Sequence, residues 1–103
     1  MAQYYDFCPV SDIPPGSVKS RIIEDVPVAV FNIDGTYHVI LDSCPHTGGP
    51  LSEGFLEGTQ ITCPWHGWKF SLVTGELDLI NSIHLKKLEW TLENNIIKVR
   101  LPE

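Results

Sequence analysis

Two short stretches combine cysteine with histidine in the middle of the chain: CPHTGGPL at 44–51 and CPWHGWKF at 63–70. One residue separates Cys44 from His46, two separate Cys63 from His66, and sixteen lie between the two pairs. Thiolates and imidazoles are ligands that proteins offer to zinc and iron. Two short pairs in the same order, Cys before His, therefore predict a metal centre built by two loops.

Four interpretations of these residues compete. Ordinary packed side chains would leave the repeated order without a reason. A Cys44–Cys63 disulfide would leave both histidines unexplained, and an odd count of three cysteines without a visible export signal disfavours it. Zinc accepts two Cys and two His, but zinc fingers pair Cys with Cys and His with His. A two-iron, two-sulfide cluster with thiolates on one iron and imidazoles on the other explains the mixed pairs directly.

Residues 42–78 differ in composition from the two ends of the chain. They hold six of the eight glycines and two of the three cysteines. Glycine at this density allows unusual backbone angles and close approach of amide groups to a ligand. We therefore expect loops wrapped around a ligand and inserted into a scaffold formed by the two ends.

The two ends carry the pattern of an all-β domain, with Gly, Pro and Asp interrupting short apolar segments. Asp34-Gly35 favours a two-residue hairpin turn, because both central residues of such a turn need positive φ. Glu93-Asn94-Asn95 is expected to form a second turn. The predicted strands are Tyr4–Val10, Val26–Ile33 (with moderate alternation), Tyr37–Leu41, Leu88–Leu92 and Ile96–Leu101.

The overall composition limits the function. The chain has 103 residues, room for one domain, and a formal net charge of −6. Nucleic-acid binding is not expected, since it needs clustered Lys and Arg. The longest apolar run, 28–31, is far shorter than the roughly 20 residues of a membrane helix. We therefore expect a cytoplasmic protein with no membrane contact.

The two quoted stretches, followed by Thr74-Gly75-Glu76, closely resemble the Rieske [2Fe–2S] ferredoxin family. The resemblance is dense over the cluster loops and extends to the flanks as an all-β pattern. It implies one Rieske domain over 1–103: an antiparallel β-sandwich base, formed by 1–41 and 79–103, and a rubredoxin-like cluster-binding subdomain at 42–78.

The resemblance also implies the ligands of one [2Fe–2S] cluster. Cys44 and Cys63 would bind the inner iron, and His46 and His66 the outer iron. Backbone amides near the cluster sulfurs are implied at Gly48, Gly49 and Gly67. His38, His84 and Cys8 have no implied role, and we expect surface or structural histidines and a packed or partly exposed thiol there.

The implied function is one-electron transfer, without catalysis, from a flavin-type reductase to an oxygenase. Trp65, between two implied ligands, would either shield the cluster from water or contact a partner. The alternative function is a non-catalytic small subunit of a nitrite reductase or another multi-subunit oxidoreductase. We do not expect a terminal oxygenase, since the 103 residues given leave no room for its catalytic domain.

The chain departs from the high-potential members of the family, and this predicts its redox behaviour. Gly49 and Trp65 stand where those members have disulfide-forming cysteines, while Trp68 and Phe70 stand where they have Ser and Tyr hydroxyls. Hydroxyl bonds to sulfur stabilise the reduced state, so their loss lowers the potential. We expect a couple near the low end of the range of about −150 to +300 mV, largely independent of pH near neutrality. A redox titration with a strongly positive midpoint at pH 7 would contradict this.

Overall fold

Nine short strands and two short 3-10 helices, Val10–Asp12 and Leu51–Glu53, lie in the part of the chain that the structure, a computed structural model, describes: residues 3–43, 49–64, 69–73 and 86–101. The strands are β1 Tyr4–Pro9, β2 Val18–Ile23, β3 Val26–Ile33, β4 Thr36–Leu41, β5 Phe55–Glu57, β6 Gln60–Thr62, β7 Lys69–Ser71, β8 Trp90–Glu93 and β9 Ile96–Arg100. Every strand pairing is antiparallel. The expected all-β fold is confirmed.

The strands form three sheets of three. The terminal sheet has the order β1-β9-β8, the middle sheet β2-β3-β4, and the loop sheet β5-β6-β7. The terminal sheet joins the two ends of the chain, and the loop sheet lies within residues 55–71. No helix in the described ranges is long and apolar enough to cross a lipid bilayer. The division into a base and a cluster-binding subdomain at 42–78 stays a prediction.

The centre of the fold is β3, which is buried on both faces. Val28 and Val30 pack towards one side, Ala29 and Phe31 towards the other, and all four are 0% exposed. A strand covered on both sides can be continuously apolar, because neither face meets water. This explains why the run Val28–Phe31 lacks the polar-to-apolar alternation expected of a half-exposed strand.

Two hydrophobic clusters fill the spaces on either side of the middle sheet. The loop-side cluster comprises Ala29, Phe31, Ile40, Leu51, Ile61, Cys63, Phe70 and Leu72. The terminal-side cluster comprises Phe7, Cys8, Ile13, Ile23, Val28, Val30, Val39, Leu88, Ile97 and Val99. The middle sheet therefore acts as the central layer of a three-layer arrangement.

Tight turns set the register of the hairpins. Asp34 and Gly35 have φ of 52° and 90°, as the sequence predicts. Asn94 and Asn95 have φ of 53° and 63° and make the second predicted turn, while Glu93 belongs to β8.

A third turn of the same kind, Glu24-Asp25, joins β2 to β3 with φ of 51° and 67°. β2 has no clear signal in the sequence, because its six residues do not alternate and no Gly or Asn marks its turn.

Four predicted strands differ from the structure at their boundaries. β4 begins one residue earlier than predicted, at Thr36, and β9 ends one residue earlier, at Arg100. Residues 86–88 pair with β4 and do not extend β8. The Leu88 N–H donates to the Val39 carbonyl at 2.9 Å, and the Leu41 N–H donates to the Lys86 carbonyl at 2.8 Å. β8 therefore begins only at Trp90. β1 ends at Pro9, one residue earlier than predicted, and its register shifts between Asp6 and Cys8, which lets the successive residues Phe7 and Cys8 both be buried.

Candidate metal centre

Cys63 is the one predicted ligand that falls within the described residues. It follows β6 directly, is 1% exposed, and belongs to the loop-side cluster. Pro64, the next residue, is exposed. The chain thus passes from the core to the surface within one residue of this thiol.

The other predicted ligands lie outside the described residues. These ligands are Cys44, His46 and His66. Four further positions discussed in the sequence also lie outside the described residues: Gly48, Trp65, Gly67 and Trp68. Of the remaining predicted positions, Gly49 is buried and Phe70 is 0% exposed in the same cluster as Cys63. The set of four ligands stays a prediction.

A buried carboxylate closes the loop that carries the first Cys-His pair. Asp42 is 8% exposed, and its Oδ1 and Oδ2 accept hydrogen bonds from the backbone N–H of Ser52 at 2.7 Å and from Ser52 Oγ at 2.6 Å. The N–H of Asp42 donates to the Pro27 carbonyl at 2.9 Å, which attaches this residue to β3. Asp42 and Ser52 have no signal in the sequence, because nothing local marks Asp42 as buried or Ser52 as its partner.

Gly54 brings the same loop against the strand that leads to Cys63. A Cβ atom at this position would lie 2.0 Å from the Thr62 carbonyl oxygen and 3.1 Å from that of Leu51. Its φ of −80° suits any residue, so close backbone approach is what requires glycine. The glycine-rich composition was interpreted as an approach to a ligand, whereas at Gly54 the chain approaches itself.

His38, on β4, is half-buried. Burial, which disfavours the charged imidazolium, lowers its pKa, and the positive charge of Lys87 lowers it further, while a hydrogen bond with the backbone of Leu72 acts in the opposite direction. Lys87 Nζ donates to the Val73 carbonyl at 2.6 Å. These contacts connect β4 to the segment after β7 and are typical of a structural histidine. His84 lies outside the described residues.

Cys8 lies on the other side of the middle sheet from Cys63. It is 6% exposed in the terminal-side cluster, and burial raises the pKa of its thiol. A raised pKa keeps the thiol protonated, and a protonated thiol is a poor metal ligand and nucleophile. Cys8 is therefore a packing residue, one of the two alternatives that the sequence left open.

The fold and the donor set together define a class of protein. The architecture is all-β, the buried Cys63 thiol directly follows β6, and the sequence supplies two thiols and two imidazoles in two mixed pairs, one of which includes Cys63. That donor chemistry fits a [2Fe–2S] cluster with two Cys and two His ligands. The class is an iron–sulfur electron-transfer domain.

The chain belongs to the Rieske [2Fe–2S] domain family, whose model matches residues 3–89. It is 37% identical over 98 residues to the 3-phenylpropionate/cinnamic acid dioxygenase ferredoxin subunit of Shigella flexneri serotype 5b, covering 93% of this chain and 92% of that protein. The family membership means that the cofactor is a Rieske-type [2Fe–2S] cluster and that the protein is an electron carrier rather than a catalyst.

Solved structures show the same fold. A chain in the complex of reduced oxygenase and oxidized ferredoxin in carbazole 1,9a-dioxygenase is 28% identical, with a TM-score of 0.83 over 93% of this chain and 91% of that one. A putative NADH-dependent nitrite reductase small subunit from Mycobacterium tuberculosis has a TM-score of 0.85 over 100% and 98%, at 19% identity. The second similarity concerns the fold alone.

Replacing Gly54 by alanine tests the close approach to Thr62. The added methyl group would meet a backbone carbonyl that cannot rotate away, so we expect the free energy of unfolding to fall by about 1–3 kcal/mol, the usual cost of overpacking. Thermal unfolding of the purified protein measures it. Gly58→Asn is the control, because its Cβ would meet nothing within 4 Å and its φ of 60° lies in the left-handed region that Asn tolerates best. Equal stability of the two variants would contradict the role of Gly54.

The lowered pKa of His38 predicts a pH dependence of stability. In the unfolded chain His38 takes up a proton near pH 6.5, whereas in the folded chain its lowered pKa delays this uptake to a lower pH. The contribution of His38 to the free energy of unfolding is therefore complete above pH 6.5 and is lost as the pH falls through the folded-state pKa. His38→Gln should therefore lose less stability than the wild type between pH 7.5 and pH 5, as measured by urea unfolding. If the free energy of unfolding of His38→Gln fell with pH as steeply as that of the wild type, the prediction would be refuted.

Proposed function

We propose that this chain is the ferredoxin component of a ring-hydroxylating dioxygenase system, carrying single electrons from a flavin-type reductase to an oxygenase. The observation that supports this most strongly is the 37% identity to a dioxygenase ferredoxin subunit over nearly the full length of both chains. The similarity to a ferredoxin seen with its oxygenase points the same way. The chain would work in the cytoplasm.

We further propose Cys44 and Cys63 as ligands of the inner iron and His46 and His66 as ligands of the outer iron. The burial of Cys63 beside the exposed Pro64 supports this order, since a deep thiol is followed at once by a chain segment at the surface. When bound, the cluster accepts and releases one electron. Four protein ligands leave no open position for a substrate, which agrees with a carrier.

The charge of the protein favours a basic surface on its partners. The formal net charge is −6, and in the described ranges three of the basic side chains (Lys19, Lys98 and Arg100) already form ion pairs with acidic neighbours. An acidic carrier is attracted to basic patches, and salt weakens this attraction. Reduction of the oxygenase by this protein should therefore slow as ionic strength rises.

The ligand proposal predicts different outcomes for two buried cysteines. Cys63→Ser should abolish the Rieske EPR signal and the bound iron, whereas Cys8→Ser should keep about two irons per chain, because Cys8 only packs. The measurements are iron analysis and EPR of the reduced proteins. A colourless wild-type protein with bound zinc would refute the cluster, and a full signal in Cys63→Ser would refute the ligand assignment.

The partner proposal is tested by electron transfer. Purified wild-type protein is reduced by NADH and a reductase of a ring-hydroxylating system and is then mixed with the matching oxygenase. EPR follows the loss of the reduced signal of this protein and the reduction of the oxygenase. Transfer that is fast at low salt and slows with added salt supports the proposal. Transfer to a nitrite reductase large subunit with no transfer to any oxygenase tested would favour the small-subunit alternative.

A further inference from the structure

The loop that contains Cys44 and His46 is closed by side-chain and backbone contacts that lie wholly within the described residues. Asp42 precedes this loop and Ser52 follows it, ten positions apart. Both carboxylate oxygens of Asp42 are engaged by Ser52, one by the backbone N–H and one by the hydroxyl. Two bonds from one carboxylate to one residue fix distance and orientation more firmly than a single bond does.

Each end of this closure is itself attached to the core. The Asp42 N–H donates to Pro27 on β3, and Leu51, next to Ser52, is 0% exposed in the loop-side cluster. Gly54 then places the end of the loop against Thr62, the residue before Cys63. Contacts of the described residues thus connect the middle sheet, through Asp42, Ser52 and Gly54, to β6, the strand that Cys63 directly follows.

A comparable polar contact at the opposite end of β3 shows what a purely structural role looks like. Asn32 is 3% exposed, its Nδ2 donates to the Ile13 carbonyl at 2.7 Å, and its Oδ1 accepts from the Gly35 N–H at 2.8 Å. Asn32 joins the Asp34-Gly35 turn to the segment at Ile13, at the other end of β3 from Pro27, which Asp42 contacts. Asn32 and Asp42 are the two buried polar residues in the described part of the chain, which makes them a matched pair.

We propose that Asp42 is a positioning residue for the metal centre, holding the Cys44–His46 loop closed through Ser52. The inference rests on the ligand assignment proposed above. A loop held at both ends needs less ordering when its side chains bind iron, because the closure is already present. Side chains that orient metal ligands typically change metal affinity by about 10- to 100-fold when removed.

Four variants test this proposal: Asp42→Ala, Asp42→Asn, Ser52→Ala and, as the control, Asn32→Ala. Asp42→Ala removes both acceptors. Asp42→Asn keeps one acceptor for the Ser52 N–H and offers an amide donor to the hydroxyl oxygen, so it should restore the closure. Ser52→Ala loses only the hydrogen bond of the hydroxyl group, so its rate of iron release should lie between those of Asp42→Ala and Asp42→Asn.

The readouts are the rate of iron release to a chelator, the iron content per chain, the EPR line width of the reduced cluster and the thermal stability of each protein. We expect Asp42→Ala to release iron about 10- to 100-fold faster than the wild type and to broaden the EPR line. Asp42→Asn should stay near wild type. Asn32→Ala should lower stability while leaving iron release and line shape unchanged.

Two outcomes would overturn the proposal. Equal iron release by Asp42→Ala and Asn32→Ala, at equal loss of stability, would make Asp42 a general structural residue. Fast release of iron by Asp42→Asn would mean that the hydrogen-bond geometry between residue 42 and Ser52 does not control iron retention. Failure of the ligand assignment is distinguishable, because Cys44→Ser would then keep its full iron content whatever the Asp42 variants do.

Discussion

Burial of β3 on both of its faces is the constraint on which the remaining structure depends. Val28 and Val30 need cover on one side and Ala29 and Phe31 on the other, and a single sheet cannot supply both. The terminal sheet covers one face with strands from the two ends of the chain. The loop sheet covers the other, and this is what brings β6, and with it Cys63, against the core.

The loop sheet is small, and its stability depends on its contacts. Each of its strands has three residues, too few to be stable without packing against a larger layer. Leu51, Ile61 and Phe70 supply that packing, all at 0–1% exposure. Gly54 and the pairing of Asp42 with Ser52 then determine how closely the first loop approaches β6. Contacts around a metal site orient its ligands and tune the metal, so these contacts bear on the cluster as well as on the fold.

The sequence predicted those parts of the fold for which local chemistry has one strong solution. Asp34-Gly35 was correctly identified as a turn, because few residue pairs accept two successive positive φ angles. Glu24-Asp25 adopts the same geometry without such a signal, so β2 was not identified. The boundary of β8 was misplaced because residues 86–88 pair with β4, a partner distant in sequence.

The amino-acid sequence by itself determined the family and its cofactor, because the mixed Cys-His pairs with their flanking residues suit one kind of metal cluster. It also determined the all-β class and the main hairpins, which depend on neighbours in the chain. Only the tertiary structure decided that Asp42 and Asn32 are buried, that Gly54 has no room for a side chain, and that Cys8 and Cys63 lie on opposite sides of the middle sheet. Each of these facts depends on which distant segments meet in space, and no local pattern of residues encodes that.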